Sequence, residues 1–263
     1  MTLSLCRVFA VIKRHLYVAA RDLRVYTQDI YWPIMDLALW GFMAQYMSAQ
    51  QKMEPSYAHI LIASVGLWQV FLRSSLEVSV SMLEEVWSRN LSNMFSTALS
   101  PFEWGLAAII LAAIRTITTV LIAACAIKIL FGWSLFLVGW ILVPCAFMLL
   151  LCGLSVGFIT AGILVCWGKK AETLAWMMGW LFAPFSTIYY PAEALPIWMQ
   201  KVSYALPMAY TYQALGGAVK GEPIAWDLLG KAFGINIIFI VGSIGFFIAM
   251  FEQSRKKGLS RLE

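Results

Sequence analysis

Residues 100–130 read SPFEWGLAAIILAAIRTITTVLIAACAIKIL. Ser100 is a capping residue, and Pro101 takes the first helical position, where a missing N–H costs nothing. Glu103 stands where its carboxylate reaches back to the cap. This capping box opens an apolar run from Pro101 to about Leu130 that carries charge only at Glu103, Arg115 and Lys128. About 20 apolar residues in a helix cross the ~30 Å hydrocarbon core of a bilayer, so the run predicts a transmembrane helix. The whole chain agrees. Of 263 residues, 61% are hydrophobic and 13% charged, with a mean hydropathy of +0.77. A soluble domain carries about 25% charged residues and could not keep this much apolar surface from water.

Five more stretches of near-span length lie on either side. They run from about Tyr31 to Ser48, from about Tyr57 to Val80, within Trp133–Trp167, within Ala171–Tyr190 and within Lys231–Phe251. The stretch 133–167 is long for one helix and short for two. Either Pro144 kinks it or its first residues lie at the interface. The predicted fold class is an all-α polytopic membrane protein with six transmembrane helices. Residues 31–263 form this domain, and residues 1–30 precede it as an amphipathic helix. Leu5, Val8, Ile12, Leu16, Ala19, Leu23, Tyr26 and Ile30 make one stripe of that helix, with Arg7, Arg14 and Arg21 opposite. Such a helix lies in the headgroup layer, its arginines toward phosphates and cytosol.

Cations fix the orientation. With the N-terminus inside, inner segments hold Arg7, Lys13, Arg14, Arg21, Arg24, Arg89, Lys169, Lys170, Arg255, Lys256, Lys257 and Arg261. Outer segments hold Lys52, Lys201, Lys220 and Lys231, with Lys128 near that face. This asymmetry predicts that both termini are cytoplasmic.

Two segments depart from plain spans. The cytoplasmic loop 81–100 keeps Trp87, Leu91, Phe95 and Leu99 at four-residue spacing, which predicts a short amphipathic helix starting near Glu84. Residues 191–223 lie outside, between spans five and six. Pro184, Pro191, Pro196, Pro207 and Pro223 fall in or beside them and leave two helix-length pieces, 196–206 and 208–219. This pattern predicts a helical hairpin re-entering the outer leaflet, shielded by protein because irregular backbone cannot face lipid.

Several functions are excluded. The net charge of +5 sits beside apolar spans, where it anchors the chain in the membrane rather than binding nucleic acid. Cys6, Cys125, Cys145, Cys152 and Cys166 form no CxxC, and His15 and His59 have no clustered partners, so no metal site is expected. Arg7, Lys13 and Arg14 interrupt the first apolar stretch, so it is no signal peptide. No catalytic constellation is seen. GILVCWGKK at 162–170 imitates a phosphate-binding loop, but five residues separate its glycines and Lys170 stands where Ser or Thr must hold magnesium.

Ionisable groups within spans are costly and face protein or water. Asp36, Arg73, Glu77 and Arg115 are of this kind. Arg73 and Glu77 are four apart and can pair locally, and Asp36 is expected to pair with Arg115 or Arg73 across helices. Gly153-x-x-x-Gly157 permits close helix approach within the subunit.

The order of these parts resembles the permease subunit of type-2 ATP-binding-cassette (ABC-2) exporters. FSTIYYPAEALPIWMQKVSYALPMAYTYQALGG at 185–217 is similar to the family's aromatic-Pro, Leu-Pro, aromatic-rich helix and Pro pattern. One departure is Ser186-Thr187, where many members carry Ser-Gly. EEVWSRNLSNMFSTALSPFEW at 84–104 resembles the family's coupling helix. The resemblance implies a dimer, by symmetry a homodimer, bound to two cytoplasmic ATPase subunits that hold ATP and Mg; no cofactor is expected in this chain. It makes Glu84, Glu85, Trp87, Arg89, Asn90, Leu91 and Phe95 the ATPase-coupling residues. Tyr190, Pro191, Leu195, Pro196, Trp198 and Pro207 become the external hairpin. In the family, spans one, two and five line the translocation path, which here nominates Trp40, Phe42, Tyr46, Trp176, Trp180 and Phe185. The expected setting is the cytoplasmic (inner) membrane with its lipids, and the expected activity is outward movement of a bulky amphiphile or polymer: a glycan, lipid, peptide or drug. Two other classes compete. An ion-coupled secondary transporter predicts inverted repeats, and a lipid-modifying enzyme predicts clustered acids or histidines at one membrane face.

Overall fold

The computed structural model describes residues 4–50 and 55–258; Lys52 and Arg261 of the charge argument lie outside them. Among the described residues there are helices and turns but no strand. Helix α1 (Leu5–Ala19) is followed by a single turn, α2 (Leu23–Tyr26), and a π-helical turn (Thr27–Tyr31) that runs into α3 (Trp32–Ala49). Then come α4 (Pro55–Trp87), α5 (Leu91–Ser96), α6 (Pro101–Phe131), α7 (Leu142–Trp167) and the short α8 (Glu172–Met177). Helices α9 (Ile197–Ala205), α10 (Pro207–Val219) and α11 (Trp226–Lys256) complete the order.

The bundle is built on α4, which packs against α3, α6, α7 and α8. Its crossing with α7 is close because Gly153 and Gly157 are bare. A Cβ on Gly153 would collide with Ser74, and one on Gly157 would stand 2.8 Å from the Ser75 carbonyl. The pairs Gly153–Ser74 and Gly157–Val78 make α4 and α7 parallel, and α11 follows α7 through Asn236–Met148 and Ser254–Val165 hydrogen bonds. Helices α3 and α6 run the other way. So does the stretch after Gly168, which passes Ser79 at Ala175, Leu72 at Gly179 and Trp68 at Trp180.

Four helical stretches have the length and apolarity to cross a membrane, beginning at Ser56, Pro101, Leu142 and Trp226. The other two expected spans are not among these four. Helix α3 has 18 residues and a buried stripe of Pro33, Leu37, Gly41 and Ala44. The fifth stretch is broken. Gly168 (φ 58°) turns the chain after α7, α8 ends at Met177, and a tight 3₁₀ segment holds Trp180–Phe185 with Pro184 inside it. Proline removes a backbone donor and disfavours helix in the residue before it, so a regular helix cannot continue there. The α7 stretch resolves as one helix from Leu142, preceded by a 3₁₀ turn at Leu135–Val138. Pro144 sits in its first turn and kinks nothing.

The capping box forms. Ser100 Oγ accepts from the Glu103 amide at 3.2 Å, and Glu103 accepts from the Ser100 amide at 2.9 Å. The same carboxylate also accepts from the Ser4 amide at 2.8 Å and from Arg7 at 2.6 Å, tying α1 onto α6.

The N-terminal segment is not one helix over 1–30. It stops at Ala19, and only Val8 and Ile12 of its stripe pack into the core, against Ala107 and Leu111. Leu5, Leu16, Leu23, Tyr26 and Ile30 remain exposed. Arg7 and Arg14, expected on phosphates, instead meet Glu103 and Glu85 of the same chain; Arg21 is exposed.

Candidate functional site: the α4–α5 elbow and two clefts

Helix α4 does not stop where the apolar span was expected to stop. It carries on to Trp87, so Glu84, Glu85 and Trp87 belong to its last turns rather than to a separate loop helix. The chain then turns sharply. Arg89 adopts a left-handed φ of 52°, which a non-glycine residue holds only when its surroundings fix it. The Asn90 amide bonds to the Glu85 carbonyl at 3.1 Å, and its side chain to the Glu85 carboxylate at 3.0 Å. Helix α5 is only six residues long.

The elbow is seated in the bundle. Leu91 and Met94 are buried in a cluster with Leu83, Trp104, Phe158 and Phe247. Phe95 packs edge-on against Phe251 of α11 with centroids 4.4 Å apart. Trp87 Nε1 donates to Glu172 of α8 at 3.1 Å. Glu85 is fully buried and paired with Arg14 at 2.8 Å, with His15 at 3.9 Å. Burial holds the His15 imidazole down at about pH 4 despite the attraction of Glu85. Leu91 and Glu85, expected to face a partner, are instead buried within the chain. Trp87 and Phe95, named with them, are half-buried, and each also has a neighbour within the chain. Ser88, Arg89, Asn93, Ser96 and Thr97 form the outward surface.

Beside the elbow, α1, the π-turn, α4 and α6 enclose a polar cleft lined by His15, Asp22, Asp29, Glu84 and Trp176 among others. Its wall is an ion-pair chain. Asp29 meets Arg73 at 3.2 Å and Arg115 at 3.5 Å, and Arg115 meets Glu77 at 2.7 Å. Arg73 and Glu77 have only 7% and 3% of their side-chain surface exposed, so the charges neutralise one another out of water. Asp36 takes no part in this chain. Its carboxylate accepts from Gln69 at 2.7 Å, and Asp29 takes the place expected for it. The charges within the spans already balanced, so no residue pattern called for another acid. The π-turn rotates Asp29 into place, and it could not be foreseen from regular helical spacing.

At the opposite end of α4 a second cleft, open to one side, lies between Tyr57–Ser64, the segment 187–193 and α10. The segment behind it folds as two short helices, Ile197–Ala205 and Pro207–Val219. Pro196 and Pro207 each precede or open a helix, and the chain bends at Leu206. Helix α9 is largely exposed, including Trp198, whereas α10 is buried through Met208, Thr211, Tyr212 and Leu215. Pro191 leads into a 3₁₀ turn at Ala192–Ala194, and Leu195 accepts from Gln200 at 2.8 Å. Tyr190 donates to the Pro184 carbonyl at 2.9 Å. Thr187 takes φ 60° at the position where the resemblance calls for glycine, so the backbone bend is kept without the residue that favours it.

The six aromatics nominated for a path meet different neighbours within the chain. Trp40 packs on Tyr189 at 4.2 Å, Phe42 on Phe131 at 5.2 Å and Phe185 on Trp198 at 6.4 Å. Trp180 meets Trp68, Trp176 lines the polar cleft, and Tyr46 is exposed.

A family model described as ABC-2 type transporter matches residues 7–219, from α1 to the end of the hairpin. The chain belongs to the ABC-2 type transporter family. As an ABC-2 membrane domain it is the permease component of an ABC-type transporter, and permeases of this family work with an ATP-binding-cassette ATPase. No curated protein matches the chain. The ABC-2 match takes in the elbow, the ion-pair chain, the polar cleft and the second cleft apart from Lys220 and Glu222, and stops before α11.

Proposed function

We propose that this ABC-2 permease is the membrane half of an ATP-driven exporter that moves a bulky amphiphilic or polymeric substrate outward. In this reading six segments cross the cytoplasmic membrane, with both termini and α5 in the cytosol and the hairpin outside. Two copies of the chain bind two ATPase subunits. The elbow carries the proposal. A partner pressing on Ser88, Arg89 and Asn93 meets a short helix whose hidden side is bonded to three others. Leu91 and Met94 pass the load to α4 and α6, Phe95 to α11, and Trp87 to α8. The exposed Arg89 gives charge register at a polar rim, where mutations change partner choice more than fold. Alternating directions of α3, α4, α6, α7, the 172–190 stretch and α11 favour six crossings, and the cation asymmetry favours inner termini.

Co-purification tests the partner. Arg89→Glu and Asn93→Asp are expected to release an ATP-binding-cassette ATPase that copurifies with the wild-type chain, with thermal unfolding unchanged. Retention of the ATPase by both variants would remove the elbow from the interface. Sidedness has its own test. With Cys6 and Cys125 changed to Ser, Ser96→Cys should resist a membrane-impermeant maleimide in intact cells, and labelling there would sink the orientation.

A further inference from the structure

A third concavity, distinct from both clefts, runs between α6 and α11 and is lined throughout by apolar residues. The half-buried Leu106 and Ile109 of α6 form one wall and Ile244 and Ile248 of α11 the other, while the buried Phe158 and Phe247 close the floor. Gly105 is bare in this lining, and a Cβ there would stand 3.3 Å from the Phe158 ring. An unfilled groove forfeits the dispersion contacts of its lining, and in a bilayer hydrocarbon is the material at hand to restore them.

Charge at one end of the groove says what carries that hydrocarbon. Ile244, Ile248, Phe251 and Arg255 recur at intervals of four, three and four, so they share one face of α11. At 1.5 Å per residue Arg255 stands about 10 Å beyond Ile248 along the helix axis. Trp104 stacks on Phe247 at 5.5 Å, which sets the first turn of α6 level with the last turns of α11 and puts Arg255 past the end of the apolar lining. Lys256 and Lys257 follow it, all three are exposed, and Glu252 is the only acid between 244 and 258. Arg255 meets Glu252 at 3.7 Å with 62% of its side chain exposed, a loose surface pair that a phosphate can displace. A sterol would leave these cations unused. A second copy docked here by two-fold symmetry would bring them against their own counterparts. We infer that the groove seats one acyl chain of an anionic phospholipid whose phosphate is held by Arg255 and Lys256. Phe247 of the floor lies 6.3 Å from Phe251, which carries Phe95 of the elbow, so the seated chain firms the elbow from behind. Placing this lipid in the inner leaflet rests on the sidedness proposed above; the binding itself does not.

The test uses the full chain in detergent, read by native mass spectrometry and thermal unfolding. The probes are dioleoylphosphatidylglycerol, dioleoylphosphatidylcholine, dioleoylglycerol and glycerol 3-phosphate. Phosphatidylglycerol is expected to bind as a saturable copy, to bind more tightly than the other three and to raise the melting temperature most. Arg255→Gln and Lys256→Gln, both at exposed positions, should each weaken it about fivefold, the worth of one cation near a lipid surface, and leave dioleoylglycerol unchanged. Ile248→Trp, which fills the groove, should lower the occupancy of all three lipids; Ile109→Trp from the facing wall serves if that variant fails to fold. Phosphatidylglycerol that binds no better than phosphatidylcholine, or that is unmoved by the glutamine or the tryptophan variants, would overturn the site. So would competition by glycerol 3-phosphate alone, which would make it a bare phosphate site, or a dimer lost on Ile248→Trp, which would give the groove to a second copy. No ATPase enters this readout, so its failure leaves the coupling proposal standing, and loss of ATPase copurification leaves the lipid site standing.

Discussion

Glu77 and Arg115 show what a single buried charge demands of its neighbours. Their 2.7 Å contact lies where Glu77 is almost wholly covered, and Arg115 also reaches Asp29. Removing one partner strands the other, a loss of about 3–5 kcal/mol, while removing both is much cheaper. Glu77→Gln and Arg115→Gln should thus each lower stability in detergent sharply, and the double variant should lose less than the sum. Additive losses would show that the two side chains act independently. His15 gives a second prediction. Its folded pKa of about 4 lies below its ordinary 6.5, so the unfolded chain binds the proton first as pH falls. Stability from this group is complete above pH 6.5 and is lost progressively down to pH 4. His15→Phe should flatten that part of the stability curve relative to wild type; an unchanged slope would mean that the imidazole titrates normally.

At the level of helices, the residue pattern located most of what formed. The Ser100 box, the two hairpin helices and the glycines of α7 each follow from local chemistry, and each appears where that chemistry puts it. What local pattern could not give was the accounting between helices. The four-residue stripe of Trp87, Leu91 and Phe95 was visible, but the stripe does not say whether α8 and α11 or another protein covers it. Nor could hydropathy foresee that α4 would run on to Trp87, or that 172–190 would fold as a broken rod. Those outcomes depend on Gly168, Gly179 and Pro184 acting together with the surface of α4. Thr187 belongs to this scale too, since one left-handed residue aims the chain from the broken rod into the hairpin. A β-branched residue bears that conformation at a cost of about 1–2 kcal/mol. Thr187→Gly should fold normally with a melting temperature equal to or above wild type, whereas Thr187→Val should melt lower. A Thr187→Gly variant that melts below wild type would show that the Thr187 hydroxyl, bonded to the Ser186 carbonyl at 2.6 Å, matters more than the backbone.

Across the molecule, burial is unevenly shared. In the most apolar window of α4, 78% of residues are buried, against 17% for α11, so α4 is the axle and α11 keeps most of its surface on the outside of the bundle. The two clefts sit at opposite ends of that axle, one walled by paired charges and the other by tyrosines. Any tilt of α4 that opens one must act on the other. The lever that, in the proposed coupling, would tilt it is short and wedged on its inner side by Leu91, Phe95 and Trp87. In the proposed coupling such a gear train would have little backlash, because only the short turns 88–90 and 97–100 flank α5 to soak up a power stroke before the load begins to move. Shaving the wedge with Phe251→Ala should introduce that slack, so that the assembled complex goes on splitting ATP while delivering less cargo per nucleotide consumed.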